Sequence, residues 1–214
     1  MKPDLHQLFF AKFRANGRIA GEEKQFGLKP TICVAFLLVI LTSFTALAQN
    51  NRYFVKSSKV VFVSKAPLET IRAVSQNLKG VIDVTTRSIA FSIANTSFEG
   101  FNSPLQQDHF HENYVESEKF PHCTFQGKII DDVNFQQDGV YPVRVKGILN
   151  VKGIGQERII KGNITVRGSE LTINCGFDVP VVDHEIRIPR IVQQKIAPVI
   201  EITLMAKLLK EGGQ

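Results

Sequence analysis

From residue 60 to residue 208 the chain returns again and again to one pattern, in which apolar and polar side chains alternate with a period of two. Tyr141, Val143, Val145, Gly147, Leu149 and Val151 fall on one side of such a run, with Arg144, Lys146 and Asn150 on the other. Successive side chains of a β-strand point to opposite faces, so the run reads as a strand with one buried and one solvated face. Leu171–Val181 repeats it, with Leu171, Ile173, Cys175, Phe177 and Val179 on one side. Shorter runs of the same kind occupy 60–64, 88–95, 123–130, 158–166 and 199–208. Turn signals separate them at Gln137-Asp138-Gly139, Lys152-Gly153-Ile154-Gly155 and Arg167-Gly168-Ser169. Seven or eight antiparallel strands, each apolar on one face, close as a sandwich or a barrel. The inward positions hold Phe, Val, Ile and Leu interrupted by Gly and Ser, which favours an all-β barrel with space inside.

Two segments break the alternation. Ser103-Pro104-Leu105-Gln106 carries a helix start, with Ser as N-cap, Pro at the first helical position and Gln at the third. This predicts a helix from there to about Glu118, stopping before Phe120-Pro121, with Phe110 and Tyr114 facing the barrel and Glu112 and Glu116 facing water. Residues 67–75 form a weaker helical candidate.

The first 48 residues read as an address. Ile32–Leu41 is wholly apolar, Lys24 and Lys29 precede it, and Ala46-Leu47-Ala48 follows. A basic stretch, an apolar stretch and an A-x-A site make a signal peptide, with cleavage expected after Ala48 and Gln49 as the mature N-terminus. The competing reading is an uncleaved anchor; the apolar run is at the short limit for a bilayer span. About 30 residues before the apolar stretch is long for a signal peptide, and a translation start downstream of Met1 would account for it. Cys33 opens the apolar run, so it is not a lipidated cysteine following one. The expected organisation is 1–48 as extension and signal peptide and 49–214 as one barrel domain, exported to a periplasmic or extracellular space.

The 214 residues hold 26 Lys and Arg against 20 Asp and Glu. Residues 1–48 take six of the basic and three of the acidic residues, leaving 20 against 17 in the rest. So balanced a remainder offers no basic stripe to neutralise phosphates, and no nucleic-acid partner is expected. With 43% hydrophobic residues the chain is neither disordered nor a polytopic membrane protein. Three cysteines make neither a disulfide framework nor a four-ligand zinc ribbon.

Several stretches together resemble the YceI-like family of exported bacterial proteins. Lys59-Val-Val-Phe-Val-Ser64 is similar to that family's first strand, and Asn95-Thr-Ser-Phe-Glu-Gly-Phe101 to its strand-to-helix passage. Tyr114-Val-Glu-Ser-Glu-Lys-Phe-Pro121 with Thr124-Phe125 resembles its helix end and next strand. Gly147-Ile-Leu-Asn-Val-Lys-Gly-Ile154 resembles its hairpin, and Asp183-His-Glu-Ile186 with Ile188-Pro189 its late loop. The resemblance covers about 52–208. It implies an eight-stranded, lipocalin-like antiparallel barrel that encloses a long apolar molecule (a polyisoprenoid, fatty acid or fatty amide) and performs no catalysis. Lys65-Ala-Pro-Leu-Glu69 and Pro104-Leu-Gln-Gln-Asp108 depart from the better-studied branch, which has His-Leu-Gly and Arg-Asp motifs in those regions, so lipid identity and cavity length do not carry over.

By strand parity Phe62, Phe91, Ile93, Phe125, Ile129, Val143, Val145, Leu149, Ile173, Phe177 and Val179 point inward; all of these but Ile129, together with Phe98, Phe110 and Tyr114, are the candidate cavity lining. Parity fits a ligand cavity and a dry core equally, and the second alternative is a packed-shut interaction module. The partner expected is an apolar, lipid-like ligand, with the membrane only as its source; an uncleaved anchor and a homodimer stay open. No cofactor or metal is expected. His109 and His111, two apart in a helix, point about 200° apart and cannot share one ion, whereas Asp108 and Glu112 could, though a solvated helix face is the simpler reading. His122 and His184 are isolated, and Asp131-Asp132 reads as a turn. Cys123 and Cys175 share the inward parity, and two buried thiols are favoured over a cross-strand bridge. Ser97, Ser103 and Ser117 lack the glycine frame of a nucleophile elbow, and Gly153-x-Gly155 is no dinucleotide loop.

Overall fold

The structure, a computed structural model, describes residues 51–212. The expected signal peptide and the extension before it lie outside the described residues. The elements are β1 (Arg52–Lys65), β2 (Thr70–Ser75), β3 (Lys79–Asp83), β4 (Ser88–Ala94), α1 (Pro104–His109), β5 (His122–Ile129), β6 (Gly139–Val151), β7 (Ile154–Arg167), β8 (Glu170–Pro180) and β9 (Val199–Lys210).

The strands form one antiparallel sheet in the order β2-β1-β3-β4-β5-β6-β7-β8-β9, and β1 also pairs with β9. The sheet therefore closes on itself, and closure removes the open edges a flat sheet would expose. Nine strands fill eight places. The first half of β1 pairs with β3 (Tyr53 with Ile82) and the second half with β2 (Phe62 with Ala73), so β2 and β3 lie end to end beside one long strand. The result is a closed eight-place antiparallel barrel, as the alternation and the family resemblance together lead one to expect. Where β2 turns away from β4, Val74 and Glu99 exchange both backbone hydrogen bonds and cover its free edge.

Three elements differ from the sequence-based expectation. Residues 67–75 are not helical: 70–75 is the strand β2, whose inward residues are Ile71, Ala73 and Ser75. Two of these three are small or polar, so the alternation is faint. The second is β1, which begins at Arg52, well before Val60. Its inward side chains switch from Tyr53 and Val55 to Val60, Phe62 and Ser64 because Lys56 is an extra residue bulged out of the pairing with β9. A bulge shifts the parity by one and hides the continuity of the strand. Third, the helix ends at Tyr114 rather than about Glu118. After α1 the chain widens into a single π-turn, Phe110–Tyr114, and Glu116 takes a left-handed conformation (φ 48°). A left-handed residue after the last turn terminates a helix. Here Ser117 N donates to the His111 carbonyl at 2.7 Å, and Lys152 holds the Glu116 carboxylate at 2.6 Å.

The start of α1 follows its sequence signals. Ser103 Oγ accepts from Gln106 N at 3.2 Å, and Pro104 takes the first position. Gln106 reaches back to accept from Asn102 N at 3.1 Å, satisfying a further donor. The tight β6–β7 turn is Lys152-Gly153 alone, with φ of 54° and 76°, the left-handed pair a two-residue hairpin needs.

The barrel interior divides along its axis. At the end formed by the start of β1 and the close of β3, β5, β7 and β9, Tyr53, Ile82, Ile129, Val166, Leu171 and Leu208 are buried against one another. At the other end the strands enclose a void.

Candidate functional site

The void has a volume of about 580 Å³. That falls within the range of small-molecule sites, on the order of 300–1,000 Å³. All thirteen residues expected to line a cavity stand on its wall: Phe62 from β1; Phe91 and Ile93 from β4; Phe98, Phe110 and Tyr114 from the β4–β5 connection; Phe125 from β5; Val143, Val145 and Leu149 from β6; and Ile173, Phe177 and Val179 from β8. Ile129 does not. It points inward but lies in the dry end, which parity cannot distinguish from the hollow one. Sequence reasoning also passed over Ile200, Ile202 and Leu204 of β9, whose alternation was legible, and Ile186, Ile188, Val192 and Ile196, which lie on an irregular loop with no period to mark them.

Two glycines explain how a Phe-rich bore stays open. Gly80 on β3 pairs with Phe91 on β4, and a Cβ at position 80 would collide with the Phe91 ring. Gly147 on β6 lies under the ring of Phe125, and a Cβ there would come 2.7 Å from Phe125 Cζ. The missing side chains let both rings lie against the wall instead of across the lumen. Phe62, Phe98, Phe101 and Phe110 form a separate cluster with ring centroids 5.2–6.0 Å apart, Phe62 stacking on Phe110 at 5.3 Å. Tilted and offset aromatic pairs of this kind add to simple area burial, and they fix the π-turn of the connection against the wall.

Two polar groups on the wall are tied into the surrounding backbone. Asn95, fully buried, donates to the Phe120 carbonyl at 2.7 Å and accepts from Cys123 Sγ at 3.1 Å. Ser64 Oγ accepts from Ala197 N at 2.8 Å. Cys123 and Cys175 are free thiols on non-adjacent strands, both on the wall. Burial pushes Cys123 up to about 12 and Cys175 up to about 11, so each is an uncharged, apolar side chain there and not a nucleophile. The cavity wall is thus mainly apolar and offers chiefly dispersion contacts.

Polarity collects at the mouth, where Glu69, Gln106, His109 and Lys195 line the rim. Asn102 and Gln106 donate to the Glu69 carboxylate at 3.0 and 3.1 Å. The Asn102 hydrogen bond is the main cause holding Glu69 below the usual carboxylate range, with the Lys195 charge a smaller one. Beside the mouth, Arg158 on β7 pairs with Asp183 of the turn after β8, and Gln156 donates to the Asp183 carbonyl at 2.8 Å. His184, fully buried next to them, bonds the Ile154 carbonyl through Nδ1 at 3.0 Å; burial lowers its pKa.

The remaining polar candidates are dispersed. His109 faces the mouth, while His111 bonds Ser117 Oγ at 3.1 Å where the helix ends. Asp108, Glu112 and His122 are exposed. Asp131 holds Arg144 with 2.6 Å contacts to its backbone N and Nη2, and Asp132 pairs with Arg87, so the acidic pair locks the β5–β6 turn. Ser97 Oγ lies 2.6 Å from Ser75 Oγ and 2.6 Å from the Ala94 carbonyl, and Ser103 caps α1.

Comparison with known proteins agrees with this geometry. A polyisoprenoid-binding domain from Saccharophagus degradans superposes with a TM-score of 0.60 at 12% identity, covering 74% of this chain and 98% of that one. Burkholderia cenocepacia BcnA gives 0.58 at 16% identity, covering 70% and 95%. A Campylobacter jejuni YceI protein gives 0.51 at 11% identity, covering 63% and 82%. At these identities the likeness shows a shared barrel fold. No curated protein sequence matches this chain. Residues 54–208 match the YceI-like domain, which spans most of the barrel, and the chain belongs to the YceI-like domain family.

Proposed function

We propose that this protein is a non-catalytic binding protein that encloses one apolar chain in the hollow half of its barrel and is exported to do so. The observation that carries the reading is the cavity of about 580 Å³, walled by apolar side chains and closed at one end by packed core. The competing picture, a barrel packed shut throughout, describes only the dry half.

The volume also supports a ligand class. A cavity of about 150 Å³ takes benzene, or about 25 Å³ per carbon, so 580 Å³ holds roughly 20 carbons. One fatty acid or fatty amide chain, or a polyisoprenoid of three or four units, fits; a forty-carbon chain needs about 1,000 Å³ at the same packing. A polar end group would rest at the mouth near Glu69, Gln106, His109 and Lys195. Each buried methylene contributes about 0.8 kcal/mol, so about twenty give roughly 16 kcal/mol, enough to offset an association cost of about 8 kcal/mol and leave micromolar binding.

The test is native mass spectrometry of the protein isolated from a membrane-containing host, followed by solvent extraction. A stoichiometric adduct of a single chain of up to about twenty carbons supports the proposal. A clean mass that stays clean after incubation with fatty acid, fatty amide and short isoprenoid probes overturns it. Export rests on the sequence of residues 1–48 and has its own test: fractionation should place the protein outside the cytoplasm with Gln49 as its first residue, and a cytoplasmic chain that retains residues 1–48 would contradict it.

A further inference from the structure

Ligand enclosure leaves one feature of the mouth unexplained. Leu68, Leu105, Val182 and Ile191 are 67%, 62%, 74% and 91% exposed. They sit on the three segments that meet at the open end: the β1–β2 turn, the start of α1 and the loop from β8 to β9. These segments are joined to one another. Leu68 N donates to the Gln194 carbonyl at 2.8 Å, and Gln106 to Glu69 at 3.1 Å. A single exposed Leu is ordinary. Four on connected segments around the mouth of an apolar cavity mark a surface that meets something apolar.

The charges there say what. Arg187 and Arg190 are exposed and, among the described residues, in no ion pair. Lys195 adds a third cation, and it faces Glu69. Of the other acids nearby, Asp183 is held by Arg158, and Glu185, Asp108 and Glu112 are exposed. At the opposite end Arg52 pairs with Asp83, Arg87 with Asp132 and Arg144 with Asp131, while Lys128 and Arg167 are exposed and, among the described residues, in no ion pair. Apolar side chains beside unpaired guanidinium groups match a bilayer whose surface carries anionic headgroups. The apolar groups enter the boundary of the acyl chains while the cations meet phosphates.

We propose that the open end of the barrel docks on an anionic bilayer surface, with the cavity mouth turned toward the acyl chains. Docking needs no ligand in the cavity, so it stands or falls separately from the ligand reading.

The chain has no tryptophan, which allows a local test. Ile191→Trp places a fluorophore on the rim, and Val140→Trp places one at the opposite end. Both proteins are titrated with phosphatidylcholine vesicles and with vesicles containing about one-third phosphatidylglycerol, at low salt. The Ile191→Trp emission should shift to the blue and be quenched by brominated acyl chains on the anionic vesicles only, while Val140→Trp stays unchanged. Arg187→Glu with Arg190→Glu in the Ile191→Trp background should weaken the response at least tenfold, at about fivefold for each cation removed. The proposal is overturned if neither probe responds, if both respond alike, or if charge reversal leaves the titration unmoved. A rim that binds a protein instead would give the first of these results.

Discussion

At one end of the barrel Tyr53, Ile82, Ile129, Leu171 and Leu208 meet across the axis; at the other, Phe91, Phe125, Val145 and Phe177 face each other across about 580 Å³ of space. The same strands build both ends, with the same inward parity. Two choices make the difference. At the dry end, inward aliphatic side chains are long enough to meet and are buried completely. Toward the hollow end, glycines at 80 and 147 let neighbouring rings fold back onto the wall, and irregular segments rather than strands cap the opening. A barrel of this size can thus spend one half on stability and keep the other for a guest.

The comparison breaks most sharply by truncating the dry end. Leu171→Ala removes a wholly buried side chain and should cost about 2–5 kcal/mol in chemical denaturation. Its ligand capacity should be unchanged if the variant folds.

Next in size is the wall device itself. Gly147→Ala would push Phe125 and the Gln126 carbonyl aside, with an expected loss of roughly 1–3 kcal/mol. It should also shorten the longest chain the protein accepts, because the Phe125 ring would be driven into the lumen.

Hollow-wall truncation should matter least to folding. Val145→Ala borders a void already present, so its cost should fall below about 1 kcal/mol, under the range for a closed core. If Val145→Ala and Leu171→Ala cost the same, the division into two halves is wrong.

The smallest effect is pH dependence at the mouth. Burial depresses the His184 pKa below its ordinary 6.5, so the unfolded chain takes up the proton first as pH falls. The stabilising contribution is present in full above about 6.5 and is lost as pH drops from there toward the folded-state value. Thermal melts at about pH 7.5 and about pH 5.5 should differ, and His184→Gln should shrink the difference. An unchanged difference would show that His184 is not its source.

How much of this was legible in the sequence follows from the same contrast. Where inward side chains were large and the strand regular, as in β6 and β8, parity named the wall residues directly. Where β1 bulges at Lys56, or β2 turns Ala73 and Ser75 inward, the period is broken or muted and the strand goes unseen. Parity states only that a side chain points inward, so by itself it does not separate Ile129, which belongs to the plug, from the residues of the wall. The mouth was almost wholly hidden. Its residues come from loops brought together by the fold, and Glu69, Gln106, His109 and Lys195 share no spacing that would mark them as neighbours. The early stop of the helix at Glu116 was hidden for a related reason, since it depends on Lys152 of a distant hairpin.

The most direct test of the divided barrel is a binding titration across a homologous series of saturated fatty acids and polyisoprenols of increasing length. With one end plugged and the other hollow, affinity should rise with each added methylene, by up to about fourfold, and level off near twenty carbons. Affinity that keeps climbing toward forty carbons would mean the plug does not set the floor, and saturable binding at no length would mean the cavity holds no chain at all.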